Sequence, residues 1–216
     1  MSVSLDIAGL RKDYSLRSFS EQDESLDPFI QFSKWWEEAE KSEILEYNAM
    51  TLCSCTKGGI PSARIVLLKG FDENGFTFYT NYDSKKGKEV IDNPNVALVF
   101  FWKDLERQIR IEGTAVKTTA EQSDAYFAVR PIKSQIGAIA SSQSEIIPDR
   151  AFLENSFDQI EKKYSSIEIP RPPQWGGFTI QPNLFEFWQG RRSRLHDRLQ
   201  YTMTAQKQWV INRLAP

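Results

Sequence analysis

The sequence predicts a mainly β protein, a small antiparallel barrel with helices packed outside it. Between residues 49 and 117, short β-rich segments are separated by Gly, Asn and Asp turns and interrupted by one short helix, and the longer helical segments are predicted only before and after this region. Strands and helices do not alternate as they do in a doubly wound α/β fold. The 216 residues provide ample material for a core, and we expect a single domain over 21–216, preceded by an extended or partly disordered arm over 1–20.

The first helix is predicted to begin after Asp27, which can cap it, with Pro28 at the first helical position. Its apolar residues recur at helical spacing and are expected in the core: Phe29, Phe32, Trp36 and Ala39.

The remaining elements follow from turn residues and periodicity. Strands are predicted over 49–56, 62–71, 76–81, 95–102, 107–117, 177–181, 183–189, 197–203 and 208–214, the last two forming a pair. Helices are predicted over 85–93, 120–129, 134–142 and 148–164, with Pro131 separating two of them. In the strand over 107–117, Gln108, Arg110 and Glu112 alternate with residues of the opposite face.

Composition narrows the class of protein. The net charge is −2, no apolar run is long enough for a membrane span, and charged residues occur where a signal peptide would be apolar. These features predict a cytoplasmic protein with neither a membrane nor a nucleic acid as partner. Cys53 and Cys55 are too few and too close for a disulfide framework or a zinc site, and we expect buried free thiols.

Several chemistries lack their sequence signatures. The eleven glycines form no dinucleotide or nucleoside triphosphate fingerprint, and one histidine with two cysteines is insufficient for the usual histidine-rich metal centre, so no metal is expected. No Gly-x-Ser-x-Gly elbow accompanies the single histidine, His196.

Charge is distributed unevenly along the chain. Nine acidic and two basic residues lie between Glu21 and Glu46, whereas seven Lys/Arg and two acidic residues lie between Pro170 and the end. His196 lies in this basic region, flanked by Arg194, Asp197 and Arg198. Such a cluster suits binding and proton chemistry on an anion, although a basic surface turn explains the same residues.

Three more polar groups are candidates for anion binding. Arg64 and Lys69 border one strand and would face opposite sides of it. The segment 79–86 runs from a strand into a helix start with Lys85 and Lys86, which suits a phosphate, although a Ser84 cap with solvated lysines is the simpler interpretation.

In the third group, Tyr126, Arg130 and Ser134 are spaced by four residues. Tyr126 and Arg130 would share a helical face, and Ser134 could cap the next helix, so all three could converge on one anion. The alternative is an ordinary helix cap at Ser134 beside a surface arginine. Gln143 and Ser144 form a polar turn with no function evident from the residues alone.

Several blocks then carry a resemblance that covers nearly the whole chain. They are Arg64-Ile-Val-Leu-Leu-Lys69-Gly70, Gly75-Phe-Thr-Phe-Tyr79-Thr80-Asn81, Asn93-Pro94, Phe101-Trp102, Arg107-Gln108, Arg110-Ile-Glu-Gly113, Tyr126-Phe127, Arg130-Pro131, Ser134-Gln-Ile-Gly-Ala138, Trp175-Gly-Gly177, Phe187-Trp188-Gln-Gly190, Arg194-Leu-His-Asp-Arg198 and Arg213-Leu-Ala-Pro216. In this order and at this spacing, they resemble the pyridoxine 5′-phosphate oxidase family.

The resemblance implies an FMN-binding split barrel that works as a homodimer with FMN at the subunit interface. It also implies oxidation of pyridoxine 5′-phosphate or pyridoxamine 5′-phosphate to pyridoxal 5′-phosphate, with hydride transfer to FMN and with O2 reoxidising the flavin to give H2O2. In such an enzyme the cofactor carries the redox step.

The resemblance further implies residue roles. FMN-binding positions are matched by Arg64, Ile65, Val66, Leu67, Leu68, Lys69, Tyr79, Thr80, Lys85, Lys86, Gln108, Gln143, Ser144, Trp188 and Arg198. Substrate positions are matched by Lys69, Tyr126, Arg130, Ser134, Arg194, Leu195 and His196, with Arg194 and His196 at the catalytic positions. At Lys85 the family commonly has arginine, so the bidentate fork is lost there. The charge of Arg191-Arg192-Ser193 has no assigned role.

Two other classes of function are compatible with these residues. One is an FMN-dependent split-barrel oxidoreductase that acts on a different heterocycle. The other is a non-catalytic protein that binds pyridoxal 5′-phosphate, or nucleic acid through the cluster at 191–198. Near-neutral net charge and the lack of a nucleic-acid motif disfavour nucleic acid.

Overall fold

The computed structural model describes residues 13–216. Residues 1–12, most of the predicted arm, lie outside this range. The α-helices of the described part are α1 (Pro28–Lys41), α2 (Lys85–Asp92), α3 (Ala120–Ala128), α4 (Ile132–Ala140) and α5 (Arg150–Lys163). Its strands are β1 (Ala49–Cys55), β2 (Pro61–Leu67), β3 (Gly70–Asp72), β4 (Gly75–Asn81), β5 (Asn95–Trp102), β6 (Arg107–Lys117), β7 (Trp175–Gln189), β8 (Asp197–Met203) and β9 (Trp209–Arg213).

The strands form one mostly antiparallel sheet, which confirms the predicted mainly β class. The strand order is β2-β1-β5-β6-β7-β4-β3, with β8 paired to β7 and β9 paired to β8. The predicted pairing of the last two strands is confirmed, with Tyr201 opposite Ile211.

The chain divides into two compact units. One contains residues 13–47, 100–110 and 184–216, and the other contains 48–99 and 111–183. Strands β5, β6 and β7 contribute residues to both. The single domain expected over 21–216 stays a prediction.

The core of the first unit is built from aromatic rings. Asp27 caps α1, as predicted, by accepting hydrogen bonds from the backbone N–H groups of Phe29 and Ile30. Phe32 packs against Phe100 with ring centroids 5.3 Å apart, and Trp35 packs against Phe187 at the same separation. The expected buried set was partly wrong, because Trp35 and Gln31 are buried whereas Phe29 and Trp36 are half-buried.

The core of the second unit lies between β1, β4 and β7. Leu52, Phe78 and Ile180 are fully buried there. A smaller cluster joins the helices to the start of β7 and is formed by Phe127, Ile136, Ile169 and Trp175.

Three predicted boundaries were wrong. The strand expected over 62–71 is two strands, because the chain leaves β2 after Leu67, and Lys69 donates its backbone N–H to Thr77 of β4. The strands expected over 177–181 and 183–189 are one 15-residue strand that runs through Pro182. Helix α4 begins at Ile132, so Ser134 lies within its first turn and does not cap it.

The cysteines are free thiols, as expected, but both are half-buried because they lie on the less covered face of β1, whose burial alternates. Among residues 13–216, no helix is long and apolar enough to cross a membrane.

Candidate active site

A cavity of about 730 Å³ lies in the second unit and collects most of the predicted site residues of that unit. The predicted residues that line it are Ile65, Val66, Leu67, Lys69, Tyr79, Thr80, Lys86, Tyr126, Arg130, Ser134 and Gln143. Its volume is within the usual range for small-molecule and cofactor sites.

Three stacked aromatic rings form one wall of the cavity. The Tyr79 and Tyr126 centroids are 4.0 Å apart, and the Trp175 ring lies 5.5 Å from Tyr79 and nearly parallel to it. Glycine at 177 permits this packing, because a Cβ there would come within 2.8 Å of the Tyr79 ring. Burial, reinforced by Tyr126 and Tyr82, raises the pKa of Tyr79, so its hydroxyl stays protonated and can donate.

Arg130 lies beside this wall, where α3 turns into α4. Its guanidinium carbon is 4.6 Å from the centroid of the Trp175 ring. The turn is held by Gln135, whose side-chain amide donates to the carbonyl oxygens of Ala128 and Arg130. Burial lowers the pKa of Arg130 without making deprotonation accessible.

One nitrogen of this guanidinium lacks a protein partner. Nη1 of Arg130 is buried and makes no hydrogen bond to any residue from 13 to 216. A buried cationic N–H group is costly unless it is paired, so this atom fits a site for an anion. Tyr126, Ser134 and Lys69 also line the cavity and can donate to the same ligand.

A second group of donors surrounds Lys86. Its Nζ donates to Oε1 of Gln143 at 3.1 Å and to Oγ1 of Thr80 at 3.4 Å. Burial, and then the charge of Arg64, lowers the pKa of Lys86. A cation held between a hydroxyl and an amide also suits a phosphate.

Some predicted residues of this unit do not line the cavity. Ser84 caps α2 by accepting a hydrogen bond from the Gly87 N–H. Lys85 is exposed, with its Nζ 3.9 Å from Oε1 of Glu89. These two residues therefore fit the simpler interpretation, a helix cap beside a solvated lysine. Leu68 is buried, and Ser144 is exposed with a left-handed backbone.

Arg64 is likewise absent from the lining, because its guanidinium is directed elsewhere. It pairs with the buried carboxylate of Glu89 at 3.0 Å and donates to the hydroxyls of Ser54 and Ser62. Lys69 lies beyond the end of the strand that contains Arg64, so the two cations are not on opposite faces of one strand.

The remaining predicted residues belong to the first unit, where His196 packs between two aromatic rings. Its ring centroid is 4.7 Å from Trp188 and 5.8 Å from Tyr14. Burial and then the charge of Arg194 lower the pKa of His196, whereas Asp197 acts in the opposite direction. The ring is therefore mostly neutral at pH 7.

Four other predicted residues belong to the same unit. Arg198 donates to the buried carboxylate of Glu186 at 2.9 Å and to the Ala215 carbonyl at 2.7 Å. Gln108 is half-buried on β6, and Arg194 and Leu195 are exposed.

Three kinds of site residue were not predicted from the sequence. Tyr14 was assigned to an arm without periodicity, so nothing indicated that its ring would contact His196. Trp175 appeared only as part of a recognised block, without a role. Asn81, Gly137 and Ser141 line the cavity but carry no charge or spacing that would single them out.

Comparison with solved structures defines the class of protein. The fold matches the PhzG protein of Burkholderia lata, solved with tetrahydrophenazine-1-carboxylic acid, with a TM-score of 0.88 and 26% identity over 95% of this chain and 100% of that one. It also matches a pyridoxamine 5′-phosphate oxidase-related, FMN-binding protein of Nostoc punctiforme, with a TM-score of 0.69 and 16% identity over 89% and 100%. The chain therefore has the FMN-binding split-barrel fold.

Sequence comparison then gives the family. Residues 36–164 match the family model described as pyridoxamine 5′-phosphate oxidase, and residues 175–216 match the C-terminal dimerisation region of pyridoxine 5′-phosphate oxidase. Pyridoxine/pyridoxamine 5′-phosphate oxidases of Gloeothece citriformis and Microcystis aeruginosa are 52% and 53% identical, over 97% and 99% of this chain and 98% and 100% of theirs. The chain belongs to the pyridoxamine 5′-phosphate oxidase family.

Proposed function

We propose that this protein is an FMN-dependent enzyme that oxidises pyridoxine 5′-phosphate or pyridoxamine 5′-phosphate to pyridoxal 5′-phosphate, with O2 as the final acceptor and H2O2 as the by-product. Family membership and about 52% identity to curated relatives of this name support the reaction. The protein would act as a homodimer with FMN at the subunit interface, and the match to a dimerisation region supports the dimer. A cytoplasmic location remains part of the proposal.

The observation that carries the proposal is Nη1 of Arg130, which is buried and has no hydrogen-bond partner among residues 13–216. A substrate phosphate would pair with this atom and accept from Tyr126, Ser134 and Lys69, which line the same cavity. Hydrogen bonds to a charged group contribute about 1.5 to 3 kcal/mol each, so this set can distinguish a phosphorylated pyridine from its alcohol.

The second donor group fits FMN. Lys86, Thr80 and Gln143 would hold its phosphate, and the backbone of residues 65–69 would border the rest of the molecule. Arg64 would contribute through its positive charge near Lys86 rather than through a direct contact, since Glu89 holds its guanidinium. When bound, FMN supplies the two-electron acceptor that none of the twenty side chains provides.

The chain's own residues would orient the substrate. Arg194 and His196 would position the pyridine ring and its C4′ substituent. Trp188, Arg198 and Gln108 would contact FMN. Positioning of this kind lowers the barrier by placing the reacting atoms in a near-attack geometry.

The first test is the absorption spectrum of the purified protein incubated with FMN, followed by peroxide release on addition of pyridoxine 5′-phosphate. Flavin binding without peroxide release would favour a different heterocycle as substrate. A protein that takes up no FMN would contradict the proposal and leave a binding function for pyridoxal 5′-phosphate. Binding that weakens steeply with salt would indicate nucleic acid.

The phosphate site is tested by Arg130→Met. We expect KM for pyridoxine 5′-phosphate to rise roughly tenfold to hundredfold with little change in kcat, because phosphate contacts form equally in the ground and transition states. Lys133→Met is the matched control, since Lys133 is an exposed cation on α4 that does not line the cavity. Equal kinetics in the two variants would remove Arg130 from the substrate site.

A further inference from the structure

The segment 190–196, between β7 and β8, contains an unusual turn. Ser193 and Arg194 have φ angles of 57° and 60°, in the left-handed region that non-glycine residues rarely adopt. The Leu195 N–H donates to the carbonyl oxygen of Arg192 at 3.1 Å, which closes the turn locally. Such backbone costs about 1 kcal/mol or more per residue, so other contacts must hold it.

An ion pair across the base of the turn provides one of these contacts. Nη1 of Arg191 lies 2.8 Å from Oδ2 of Asp197. Asp197 is itself fixed, because it accepts from the Phe19 N–H at 3.0 Å and from Nη1 of Arg213 at 3.0 Å. The Asp197 side chain is 15% exposed and that of Arg191 is 42% exposed, so the pair is partly shielded from solvent on the Asp197 side.

Closure of the turn brings the backbone of Arg191 to the ring of His196. The Arg191 N–H donates to Nδ1 of His196 at 3.0 Å. A ring nitrogen that accepts a hydrogen bond carries no proton, so the proton of the neutral imidazole must be on Nε2.

We infer that Arg191 is a positioning residue: its ion pair with Asp197 closes the turn so that its backbone N–H fixes His196 as the Nε2–H tautomer, a hydrogen-bond donor to the substrate. This inference rests on the proposed function for its catalytic consequence and gives a role to a charge that the sequence left unassigned. In this state Nε2 cannot accept the proton of the substrate hydroxyl. His196 therefore orients the oxygen at C4′ and does not act as its base.

The surroundings of the ring agree with a neutral histidine. Among residues 13–216, the titratable or charged groups in contact with it or acting on its charge are Tyr14, Arg191, Arg194 and Asp197. Protonation of Nδ1 would place two donors against each other, so it requires loss of the Arg191 hydrogen bond.

The test uses the FMN-loaded protein labelled with ¹⁵N-histidine. Because the chain has a single histidine, one pair of ring ¹⁵N resonances reports its tautomer without assignment. We expect a pyridine-type Nδ1 and a pyrrole-type Nε2 at neutral pH. Arg191→Ala should move both resonances toward the average of the two tautomers and lower kcat/KM roughly tenfold, since misplacement of an orienting group slows the reaction.

Arg192→Ala is the matched control, because it removes a neighbouring, exposed arginine while leaving the ion pair intact. It should match the unsubstituted protein, and Arg191→Lys should restore part of the tautomer preference. A protonated Nδ1 in the unsubstituted protein, or unchanged resonances in Arg191→Ala, would overturn the inference. The ¹⁵N resonances can be measured without any catalytic turnover. A protein that failed to oxidise pyridoxine 5′-phosphate would therefore contradict the proposed function, but it would leave the inferred tautomer of His196 untouched.

Discussion

Gly190 illustrates how a single residue controls the surroundings of His196. A Cβ at position 190 would lie 2.7 Å from Cγ of Tyr14, a distance that real contacts do not reach. The Tyr14 ring contacts Trp188 and His196 edge-on, with centroids 5.6 and 5.8 Å apart. A side chain at 190 must therefore displace the ring that covers the histidine.

We expect Gly190→Ala to raise the pKa of His196 toward its usual value, because burial is the largest cause of its lowering. The measurement is an NMR titration of the single histidine. Gly58→Ala is the control, since a Cβ there would meet its nearest neighbour at an ordinary 3.7 Å. An unchanged pKa in Gly190→Ala would show that Tyr14 does not shield the ring.

The four-residue spacing predicted that Tyr126, Arg130 and Ser134 would lie close together, and all three line the cavity. It did not predict the secondary structure that places them there. The helical face predicted for Tyr126 and Arg130 was wrong, because α3 ends at Ala128 and Arg130 lies in the turn that follows it. Ser134 lies in the first turn of α4 because that helix begins at Ile132, directly after Pro131. The unpartnered nitrogen of Arg130 depends on the packing of Trp175, 45 positions away, which no local pattern contains.

At the scale of elements, β2 and α2 are joined by a buried ionic cluster. The carboxylate of Glu89 on α2 accepts from Arg64, Ser54 and Ser62. Burial by itself would raise the pKa of Glu89, but these hydrogen bonds and the charge of Arg64 outweigh it and lower the pKa. The cluster therefore stabilises the fold with Glu89 ionised.

Glu89→Gln should lower the free energy of unfolding by about 2 to 3 kcal/mol at pH 7, because it leaves Arg64 without its partner charge. Because the pKa of Glu89 is lower in the folded state than in the unfolded state, its ionisation stabilises the fold fully at pH values above the unfolded-state pKa. This stabilisation is lost as the pH falls through the folded-state pKa. Urea unfolding at pH 7 and pH 4 should thus show a smaller difference between variant and parent at pH 4.

The control for this prediction is Glu154→Gln, which breaks an exposed pair with Arg150 in the same unit and should change stability by less than about 0.5 kcal/mol. Equal losses in the two variants would show that burial adds nothing to the Arg64–Glu89 pair.

Elements were predictable where their signals are local, as in the Asp27 cap of α1 and the alternation of β6. They were not predictable where tertiary pairing overrides those signals. Pro182 removes a backbone donor, which favours a break, yet β7 continues through it. Leu67 and Lys69 are both compatible with a strand, but Lys69 pairs with β4 instead of extending β2.

At the scale of the whole molecule, the cavity has an apolar, solvent-exposed border. Ile65 and Val129 line the cavity and are 65% and 76% exposed. Large exposed apolar side chains beside a polar site are typical of a surface that another protein covers. We expect the second subunit of the proposed dimer to cover this border and to complete the FMN site.

If FMN lies at the proposed subunit interface, FMN binding should depend on dimerisation. Ile65→Glu should raise the dimer dissociation constant at least about tenfold, roughly 1.4 kcal/mol, and should reduce the bound FMN in parallel, because a buried unpaired carboxylate opposes association. Sedimentation velocity and flavin absorbance measure the two effects on one sample. Leu45→Glu, at a 92% exposed position away from the cavity, should change neither. A monomeric Ile65→Glu variant that kept its FMN would show that each subunit binds the cofactor by itself. The proposed site at the subunit interface would then be wrong, whereas the proposed phosphate-binding residues would be unaffected.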